Sequence, residues 1–251
     1  MLTDKVIIVT GAARGIGQRY VLDILAAGGA AVAADRTACD ETLALAGPHR
    51  ERLLALPLDV ADMASASATA KATLERFGRI DGLVNNAALY ATLHKGRFDQ
   101  LDEAEWDAAM TVNVKGIWNC CRAVHEAMRA AGGGSIVNIT SLAALYGMPN
   151  ALHYTTSKAA VIGMTRGLAR ELGRASIRVN AVAPSAVATE GTKQFFGARH
   201  EIALKAIAEG QAIPRNLDAA DVSGAVCWLL SDAAKFVTGQ TIAVDGGTVM
   251  N

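Results

Sequence analysis

The amino-acid sequence predicts an α/β fold in which a parallel sheet lies between two layers of helices. Short apolar runs rich in β-branched residues alternate with longer Ala- and Leu-rich amphipathic stretches. Right-handed crossovers between parallel strands place helices on both faces of a sheet, so this alternation is typical of a doubly wound arrangement. Because 51% of the 251 residues are hydrophobic and the length suits one large α/β domain, we expect a single domain over residues 1–251.

The strands are expected at seven apolar runs, the first of which is continuous, as is typical of strands buried on both faces. In chain order the runs cover residues 6–9, 31–34, 53–58, 83–84, 135–139, 177–182 and 241–244. Helical patterns cover residues 15–27, 103–130, 153–173 and 218–230, with Asp218 as an N-cap of the last. The segment 189–213 mixes polar and apolar residues, and because long loops are usually functional we expect a substrate lid there.

Charge and composition exclude several classes of protein. The 24 basic side chains equal the 24 acidic ones, which argues against nucleic-acid binding because phosphate affinity comes from clustered Lys and Arg. No apolar run approaches about 18 residues, so we expect no membrane-spanning helix. The first residues lead directly into a strand pattern, so we expect no signal peptide and a cytoplasmic location. The four cysteines lack metal-ligand spacing, which predicts reduced core thiols and no metal.

A glycine-rich turn, Thr-Gly-Ala-Ala-Arg-Gly-Ile-Gly at residues 10–17, joins the first expected strand to the first helix. Gly11, Gly15 and Gly17 allow a tight turn and let the backbone approach a diphosphate, whose charge the helix N-terminus attracts. Because a strand precedes this turn and a helix follows it, the sequence predicts a Rossmann-type dinucleotide site.

Asp35, at the end of the second strand, indicates which dinucleotide binds. A carboxylate there accepts hydrogen bonds from the adenosine ribose and repels a 2′-phosphate, which favours NAD over NADP. Arg14 and Arg36 weigh the other way, because either guanidinium could pair with a 2′-phosphate. An arginine just after the acid can also lie on the adenine face. We therefore expect NAD, with NADP as the alternative.

Tyr154 and Lys158 lie four residues apart in a helical pattern, so their side chains leave the same face. A nearby ammonium favours phenolate over phenol, and so lowers the tyrosine pKa from its ordinary value of about 10. Ser141 follows the fifth strand at its carboxyl end, where α/β sheets bind ligands. Asn113 lies within a helical pattern, where asparagine is mildly unfavourable. These four side chains are the candidates for acid–base chemistry.

Together these features resemble the short-chain dehydrogenase/reductase family, and the resemblance runs from end to end of the chain. The matching motifs are TGAARGIG at 10–17, Asp59-Val60, NNAA at 85–88, Asn113, Ser141, the Tyr154/Lys158 pair, the 180–189 segment and VTGQTIAVDGG at 237–247. Each motif is weak alone, whereas their shared order is specific. The resemblance implies an oxidoreductase that transfers a hydride between nicotinamide and an alcohol or ketone.

The resemblance also implies a role for each catalytic candidate. Tyr154 is expected to be the general acid/base, and Lys158 to lower its pKa and hold the nicotinamide ribose. Ser141 is expected to hydrogen-bond the substrate oxygen and steady its developing charge. Asn113 is expected to position a water that connects Lys158 to bulk solvent.

The expected cofactor contacts extend beyond the glycine turn. By resemblance, Asp59 and Val60 contact adenine and Asn86 steadies the sheet behind it, whereas Val187 and Thr189 hold the carboxamide. The full expected set is Gly11, Arg14, Gly15, Ile16, Gly17, Asp35, Arg36, Asp59, Val60, Asn86, Ala87, Ala88, Tyr154, Lys158, Pro184, Ser185, Val187 and Thr189.

Two residues depart from the family pattern. Ala88 replaces the glycine of the usual NNAG motif and adds a methyl group close to the cofactor ribose. Ser185 replaces the glycine that usually follows Pro184, and adds a hydroxyl near nicotinamide or substrate. Neither change removes a catalytic group, so both bear on the shape of the pocket.

The residues expected around the substrate are largely apolar and aromatic. They are Leu89, Tyr90, Leu142, Met148, His153, Ser185, Phe195 and Phe196. A sugar or polyol needs a polar partner for each buried hydroxyl, so we expect an apolar or aromatic secondary alcohol. Alternatively, Phe195 and Phe196 anchor the lid, and His153 packs at the start of its helix. The lid's end at 211–215 is similar to that of a 1-phenylethanol dehydrogenase branch, and the C-terminal segment to a pyridoxal 4-dehydrogenase branch.

Two other functions stay open at this level, namely a sugar or polyol dehydrogenase of the same family and a non-catalytic NAD-binding regulator. Loss of a catalytic candidate would favour the regulator, and all four are present. The resemblance further implies a homotetramer that pairs the helices at about 103–130 and 153–173 and the last strand. Trp118 and Cys120 would suit an apolar face of such an interface.

Overall fold

A seven-stranded sheet, in which every pair of neighbouring strands is parallel, forms the centre of the protein. It is seen in a computed structural model that describes residues 1–250. The strands are β1 (Val6–Thr10), β2 (Ala30–Asp35), β3 (Leu53–Pro57), β4 (Gly82–Asn85), β5 (Gly134–Ile139), β6 (Ile177–Pro184) and β7 (Thr241–Val244). Their order across the sheet is β3-β2-β1-β4-β5-β6-β7. The doubly wound α/β fold and its seven expected strands are confirmed.

Within residues 1–250, ten α-helices accompany the strands. They are α1 (Gly15–Ala26), α2 (Asp40–Leu45), α3 (Met63–Phe77), α4 (Glu103–Met110), α5 (Gly116–Ala130), α6 (Ala143–Tyr146), α7 (Leu152–Leu172), α8 (Glu190–Phe196), α9 (His200–Glu209) and α10 (Ala219–Leu230). Thr111–Lys115 form a π-helical turn between α4 and α5, and short 3₁₀ helices cover Gly47–Arg52, Phe98–Gln100, Gly173–Ala175, Gly197–Arg199 and Asp232–Ala234. As expected, Asp218 caps α10, through a hydrogen bond from the Ala220 N–H.

The structure corrects the sequence-based boundaries in three places. The pattern at 103–130 is not one α-helix, because the π-helical turn lies between α4 and α5. The segment 189–213 is not an irregular loop, because α8 and α9 occupy most of it. The sequence analysis also missed α2, which is short, and α3, whose buried face consists of alanine and threonine instead of large apolar residues.

Two hydrophobic cores lie on opposite faces of the sheet. Side chains alternate along a strand, so in β1 Ile7 and Val9 enter one core and Ile8 enters the other. The first core includes residues of α1 and α10, and the second includes residues of α3, α5 and α7. Every β1 residue is buried, which explains why its sequence is a continuous apolar run instead of an alternating one.

The progression of strands across the sheet changes direction after β3. Strands β1 to β3 proceed towards one edge, whereas β4 lies beside β1 and starts a progression towards the other edge. The segments that follow β1 and β4 therefore diverge, and a crevice opens at the carboxyl ends of these two strands. Open α/β sheets bind their ligands at this position, so the topology alone indicates where the site lies.

The cysteines are buried free thiols, as the sequence predicts: Cys39, Cys120, Cys121 and Cys227. Cys120 belongs to the core on the α5 side of the sheet, so the expectation that it contributes to an interface face is wrong. Trp118, two residues earlier, is 45% exposed. None of the helices in residues 1–250 is long and apolar enough to cross a membrane. The same residues contain no group of three His, Cys, Asp or Glu side chains that could hold a metal ion.

Candidate active site

The turn between β1 and α1 is shaped by its three glycines. Gly11 and Gly15 have φ angles of 67° and 63°, in the left-handed region that favours glycine. A Cβ at Gly17 would lie 2.6 Å from the Nδ2 atom of Asn86, so no side chain fits there. A Cβ at Gly15 would meet only the methyl group of Thr189, at 4.0 Å. The backbone is therefore tightly packed on its inner side and open above the start of α1.

The N-terminus of α1 is available to an anion. Arg14 is the N-cap residue, it makes no side-chain capping hydrogen bond within residues 1–250, and the first turn holds no acidic residue. The first backbone N–H groups and the positive end of the helix dipole thus face the open space above Gly15. Ile16 is partly buried against the first core and fixes this turn. A dinucleotide fits this cradle, because its diphosphate can accept the free N–H groups.

Thr10 and Asn86 hold the glycine turn against the segment that follows β4. The buried Thr10 hydroxyl accepts hydrogen bonds from the backbone N–H groups of Asn86 and Ala87, both at 3.0 Å. The Asn86 Nδ2 atom donates to the carbonyl oxygens of Thr10 and Gly11, also at 3.0 Å. These four bonds fix the width of the crevice. The sequence analysis missed Thr10, although a hydroxyl in an otherwise apolar buried strand was a usable signal.

Asp35 turns its carboxylate towards the glycine turn. Its Oδ2 atom accepts a hydrogen bond from the Ala13 N–H at 3.0 Å, and its Oδ1 atom accepts one from the Thr37 N–H at 2.9 Å. Arg14 and Arg36 follow β1 and β2 at the same edge of the sheet, and both are exposed. Asp35, which is expected to favour NAD, therefore lies at the same end of the crevice as Arg14 and Arg36, which could favour NADP.

Asp59 and Val60 follow β3 and continue the crevice. Asp59 is exposed, and its Oδ1 atom accepts a hydrogen bond from the Ala61 N–H at 2.9 Å. Val60 is buried against α5, where a Cβ at Gly116 would lie 2.7 Å from the Val60 Cγ2 atom. The Asn119 Nδ2 atom on α5 donates to the Val60 carbonyl oxygen at 3.0 Å. Helix α5 thus holds this pair from behind.

Tyr154, Ser141 and Lys158 come together where β5 ends and α7 begins. Burial raises the pKa of Tyr154 to about 12, and the nearby Ser141 hydroxyl acts in the opposite direction, to lower it. The Lys158 Nζ atom lies 5.9 Å from the centre of the Tyr154 ring and donates to the Ile139 carbonyl oxygen at 2.8 Å. Burial lowers the pKa of Lys158 to about 8. The ammonium of Lys158 was expected to lower the pKa of Tyr154, but burial of the phenol by the protein raises it instead.

Asn113 lies in the π-helical turn and is fully buried. Its Oδ1 atom accepts the Leu89 N–H at 2.7 Å, and its Nδ2 atom donates to the Leu89 carbonyl oxygen and the Ser157 hydroxyl, both at 3.0 Å. Ser157 in turn donates to the Tyr154 carbonyl oxygen at 2.8 Å. Asn113 therefore connects the segment after β4 to the first turn of α7. The sequence analysis missed Ser157 as a partner of Asn113, because the two residues are distant in the chain and come into contact only in the folded protein.

Three aromatic rings, those of Tyr90, Tyr154 and Phe195, pack against one another. The ring centres of Tyr90 and Phe195 both lie 6.1 Å from that of Tyr154, and they are 6.0 Å from each other. Phe196 packs edge-on against Phe195, with 5.2 Å between the ring centres. Phe195 belongs to α8, so the segment 189–213 reaches Tyr154. These contacts make the surface beside Tyr154 aromatic.

The remaining predicted residues surround this cluster. Leu142 is buried, and its N–H donates to the Pro184 carbonyl oxygen at 2.9 Å. His153 is fully buried, and its Nδ1 atom accepts the Tyr154 N–H at 2.8 Å while its Nε2 atom donates to the His94 carbonyl oxygen at 3.1 Å. Both ring nitrogens are therefore engaged with the backbone. The partly buried members of the set are Ala87, Ala88, Leu89, Met148, Ser185 and Thr189, and Val187 is buried.

The structure brings the predicted residues to one edge of the sheet, the carboxyl edge, along the ends of β1 to β6. The cradle and Asp35 lie at one end of this crevice, and the Tyr154 cluster lies at the other. An extended dinucleotide placed with its diphosphate at the glycine turn spans these two ends, as in other doubly wound sheets.

Three comparisons with known proteins agree with this geometry. The family model described as "Enoyl-(Acyl carrier protein) reductase" matches residues 11–249. The 3-oxoacyl-(acyl-carrier-protein) reductase FabG of Thermotoga maritima is 36% identical over 251 residues, 99% of this chain and 99% of that protein. The D-threitol dehydrogenase of Mycolicibacterium smegmatis is 39% identical over 251 residues, 98% of this chain and 93% of that protein.

A similar structure extends the likeness to three dimensions. The crystal structure of levodione reductase has a TM-score of 0.89 and 30% identity, and the match covers 98% of both chains. The family match takes in the glycine turn, Asn113, Ser141 and the Tyr154/Lys158 pair. The chain therefore belongs to the short-chain dehydrogenase/reductase family of oxidoreductases, whose members use nicotinamide cofactors.

Proposed function

We propose that this protein transfers a hydride between NAD and an apolar or aromatic secondary alcohol or its ketone, with Tyr154 as proton donor and acceptor. The observation that carries the proposal is the cluster in which Ser141 acts on the Tyr154 phenol and the Lys158 Nζ atom lies 5.9 Å from the centre of the Tyr154 ring. This cluster stands at the ligand-binding edge of the sheet, in the same crevice as a glycine turn that fits a diphosphate.

Each catalytic side chain has a physical task in this proposal. Ser141 hydrogen-bonds the substrate oxygen and stabilises the charge that develops on it. Tyr154 exchanges a proton with the same oxygen, and its raised pKa, about 12, keeps it protonated and suited to protonate a ketone oxygen. Lys158, whose pKa of about 8 leaves it largely charged at neutral pH, stabilises the phenolate once the proton has left. A bound nicotinamide supplies or accepts the hydride, and its oxidised ring adds a positive charge.

Asn113 completes the proton path in this proposal. Its two amide hydrogens are committed to the Leu89 carbonyl oxygen and the Ser157 hydroxyl. A relay water between Lys158 and solvent would therefore use an oxygen of Asn113 as its acceptor. The position of this oxygen is fixed because the Asn113 side chain forms hydrogen bonds with both the segment after β4 and helix α7.

The preference for NAD over NADP rests on Asp35. Its carboxylate is held beside the cradle by the N–H groups of Ala13 and Thr37, where it favours a ribose with two free hydroxyls and repels a 2′-phosphate. We expect Asp35→Ala to lower the ratio of kcat/KM with NAD to kcat/KM with NADP by at least tenfold. An unchanged ratio would mean that Arg14 and Arg36, not the acid, determine the choice.

The substrate class rests on the rings of Tyr90 and Phe195, which pack against Tyr154 with ring centres 6.1 Å from its own and make the surroundings of the phenol aromatic. Helices α8 and α9 act as a substrate lid in this proposal, since Phe195 brings α8 to the catalytic tyrosine. Aromatic contacts favour a planar or cyclic substrate, as the similarity to the 1-phenylethanol dehydrogenase branch also suggests.

A polyol dehydrogenase is the second candidate, and the 39% identity to a D-threitol dehydrogenase favours it. Ser185 and Thr189 are the hydroxyl-bearing residues that such a substrate would use near the cluster. A non-catalytic NAD-binding regulator is the third candidate, and the proximity of Ser141 and Lys158 to the Tyr154 phenol argues against it.

The test is nicotinamide absorbance with purified protein, NAD or NADP, and a panel of alcohols that holds aryl-alkyl carbinols, cyclic alcohols, polyols and pyridoxal. We expect turnover of aryl or cyclic alcohols with NAD. Tyr154→Phe should lower kcat by at least 100-fold, because it removes the transferred proton. Tyr146→Phe is the comparison variant: Tyr146 is 53% exposed and only helps to raise the pKa of Tyr154, so its loss should change kcat far less than the loss of the Tyr154 hydroxyl. Turnover of polyols alone would select the second candidate, and NAD binding without turnover the third.

The proposed assembly is a homotetramer formed through the outer faces of α5 and α7 and the β7 edge. Trp118 on α5 is 45% exposed and Phe236, before β7, is fully exposed, so both would gain by burial. Sedimentation velocity should give about four times the 26.1 kDa of one chain, whereas a mass of one chain would refute the assembly.

A further inference from the structure

Lys95 is a positive charge that lies on the aromatic surface of the candidate active site. It belongs to the segment that follows β4, and its Nζ atom lies 3.9 Å from the centre of the Phe195 ring and 5.4 Å from that of Phe196. The same Nζ atom donates a hydrogen bond to the Phe195 carbonyl oxygen. Lys95 therefore crosses from the wall of the crevice to the lid.

No carboxylate in residues 1–250 forms an ion pair with Lys95. The acids on its own side of the crevice are occupied, because Glu105 pairs with His94 and Asp99 pairs with Arg97. Burial lowers the pKa of Lys95, and no acidic neighbour acts to raise it. Lys95 is nevertheless exposed, so its ammonium is only partly desolvated, and the protein groups next to it, two rings and one carbonyl oxygen, are neutral. Such a cation gains from an anionic partner more than a fully hydrated one does.

The backbone on either side of Lys95 is fixed relative to the catalytic helix. The His94 N–H donates to Glu105 at 3.0 Å, and the His94 carbonyl oxygen accepts the Nε2–H of His153, the residue that precedes Tyr154. The N–H of Gly96 donates to the carbonyl oxygen of Asn150, just before α7, at 3.0 Å. Lys95 is therefore held at a constant distance from the reacting groups, as a specificity residue requires.

That distance suits a substrate of moderate size. The Nζ atom of Lys95 is 3.9 Å from the Phe195 ring centre, which is 6.1 Å from the Tyr154 ring centre, so Nζ and the Tyr154 ring are at most 10.0 Å apart. The path that defines this span runs through the Phe195 ring, so a substrate that reaches both groups must lie along that ring, and a molecule with one ring between its carbinol carbon and a distal charge is of comparable length. Its ring would face Tyr90 and Phe195, while its charge would meet the ammonium.

We propose that the substrate is an apolar or aromatic hydroxy acid, or the corresponding keto acid, whose distal carboxylate is bound by Lys95. The inference rests on the proposed function, because it takes Tyr154 as the centre of reaction. It adds the one charged contact that the aromatic pocket otherwise lacks. Lys95 determines which alcohols are accepted and takes no part in the exchange of proton or hydride.

The test compares a carboxylate substrate with its uncharged ester. The pair is 4-(1-hydroxyethyl)benzoate and its methyl ester, assayed by nicotinamide absorbance with the full-length enzyme. We expect wild-type kcat/KM to favour the acid by about 10- to 100-fold, the range of a charge-assisted hydrogen bond that is partly desolvated. Lys95→Met should bring this ratio close to one, mainly through the KM of the acid, and Lys95→Arg should keep most of it.

Lys193→Met is the matched control, because Lys193 is an exposed lysine on α8 and its loss should leave the ratio unchanged. A wild-type enzyme without preference for the acid would overturn the inference. So would a Lys95→Met variant that loses activity on acid and ester equally, since Lys95 would then only fasten the lid. Turnover of the ester with no preference for the acid would leave the proposed function standing and the inference refuted.

A binding measurement separates the two proposals where neither compound turns over. Calorimetric titration of the NAD-loaded protein with 4-acetylbenzoate needs no reaction. A dissociation constant that rises at least tenfold in Lys95→Met supports the carboxylate site even if the proposed reaction fails. Equal affinity of the wild type and the variant, or no binding to the wild type, refutes it.

Discussion

Replacing Thr10 with valine should weaken the fold at the place where the cofactor cradle is held. Valine keeps the shape of threonine but lacks its hydroxyl, so the backbone N–H groups of Asn86 and Ala87, each 3.0 Å from the Thr10 oxygen, lose their acceptor. Thr10 is 1% exposed, which leaves no room for water in place of the hydroxyl. The perturbation therefore removes one oxygen and leaves two donors without a partner.

The magnitude follows from those two donors. A buried polar group left without a partner costs about 1–3 kcal/mol. Asn86 and Ala87 are themselves partly exposed, which reduces the cost of each, so we expect the free energy of unfolding to fall by about 2–4 kcal/mol. Because the same segment borders the cradle, NAD affinity should fall as well.

Urea unfolding followed by tryptophan fluorescence measures the change in stability, at one protein concentration because assembly contributes to stability. Thr10→Ser is the matched control, since it keeps the oxygen and removes only a methyl group, at a cost of about 1 kcal/mol. If Thr10→Val unfolded within about 0.5 kcal/mol of the wild type, or if the serine variant lost as much as the valine variant, the hydrogen-bond argument would be refuted.

Three further predictions concern the cradle, the catalytic helix and pH. Gly17→Ala should abolish NAD binding measured by calorimetry, because its Cβ would lie 2.6 Å from the Asn86 Nδ2 atom; unchanged affinity would contradict the packing argument. Ser157→Ala should lower both the free energy of unfolding, by about 1–2 kcal/mol, and kcat. The change leaves the carbonyl oxygen of Tyr154 and one amide hydrogen of Asn113 without their hydrogen-bond partner. A wild-type kcat would show that Ser157 does not position the tyrosine. Burial lowers the pKa of Lys158 from 10.5 to about 8, so between these values the unfolded chain binds more protons and stability should rise with pH, by at most about 1.4 kcal/mol per unit. Urea titrations should show a smaller rise in Lys158→Met, and equal slopes would refute the shift.

Local sequence was a good guide to the strands and to the glycine turn. The first strand was predictable because all five of its residues are buried and the first four of them form a continuous apolar run. The turn was predictable because Gly11 and Gly15 must adopt left-handed angles within a few residues of a strand end. Helix α3 was missed for a similarly local reason, since its small buried side chains, Ala66 and Ala70 among them, give only a weak apolar pattern.

Asn113 shows where local reasoning ended. Its occurrence in a helical pattern indicated a role, but the π-helical turn that separates α4 from α5 has no evident signature in its residues. Its partners Leu89 and Ser157 lie 24 and 44 positions away in the chain. Likewise, the pKa of Tyr154 was expected to fall because Lys158 is four residues away, whereas burial by the rest of the protein raises it.

By itself the sequence determined the fold class and the glycine turn, and it indicated the candidates for the catalytic cluster, because each of these signals is carried by a short motif. Tertiary structure alone decided what surrounds them. It placed Thr10 against a segment 76 residues away, Phe195 beside Tyr154, and Lys95 over the Phe195 ring. Burial and hydrogen bonding depend on which distant segments come into contact in the folded chain, and the local pattern of apolar and polar residues does not specify those contacts.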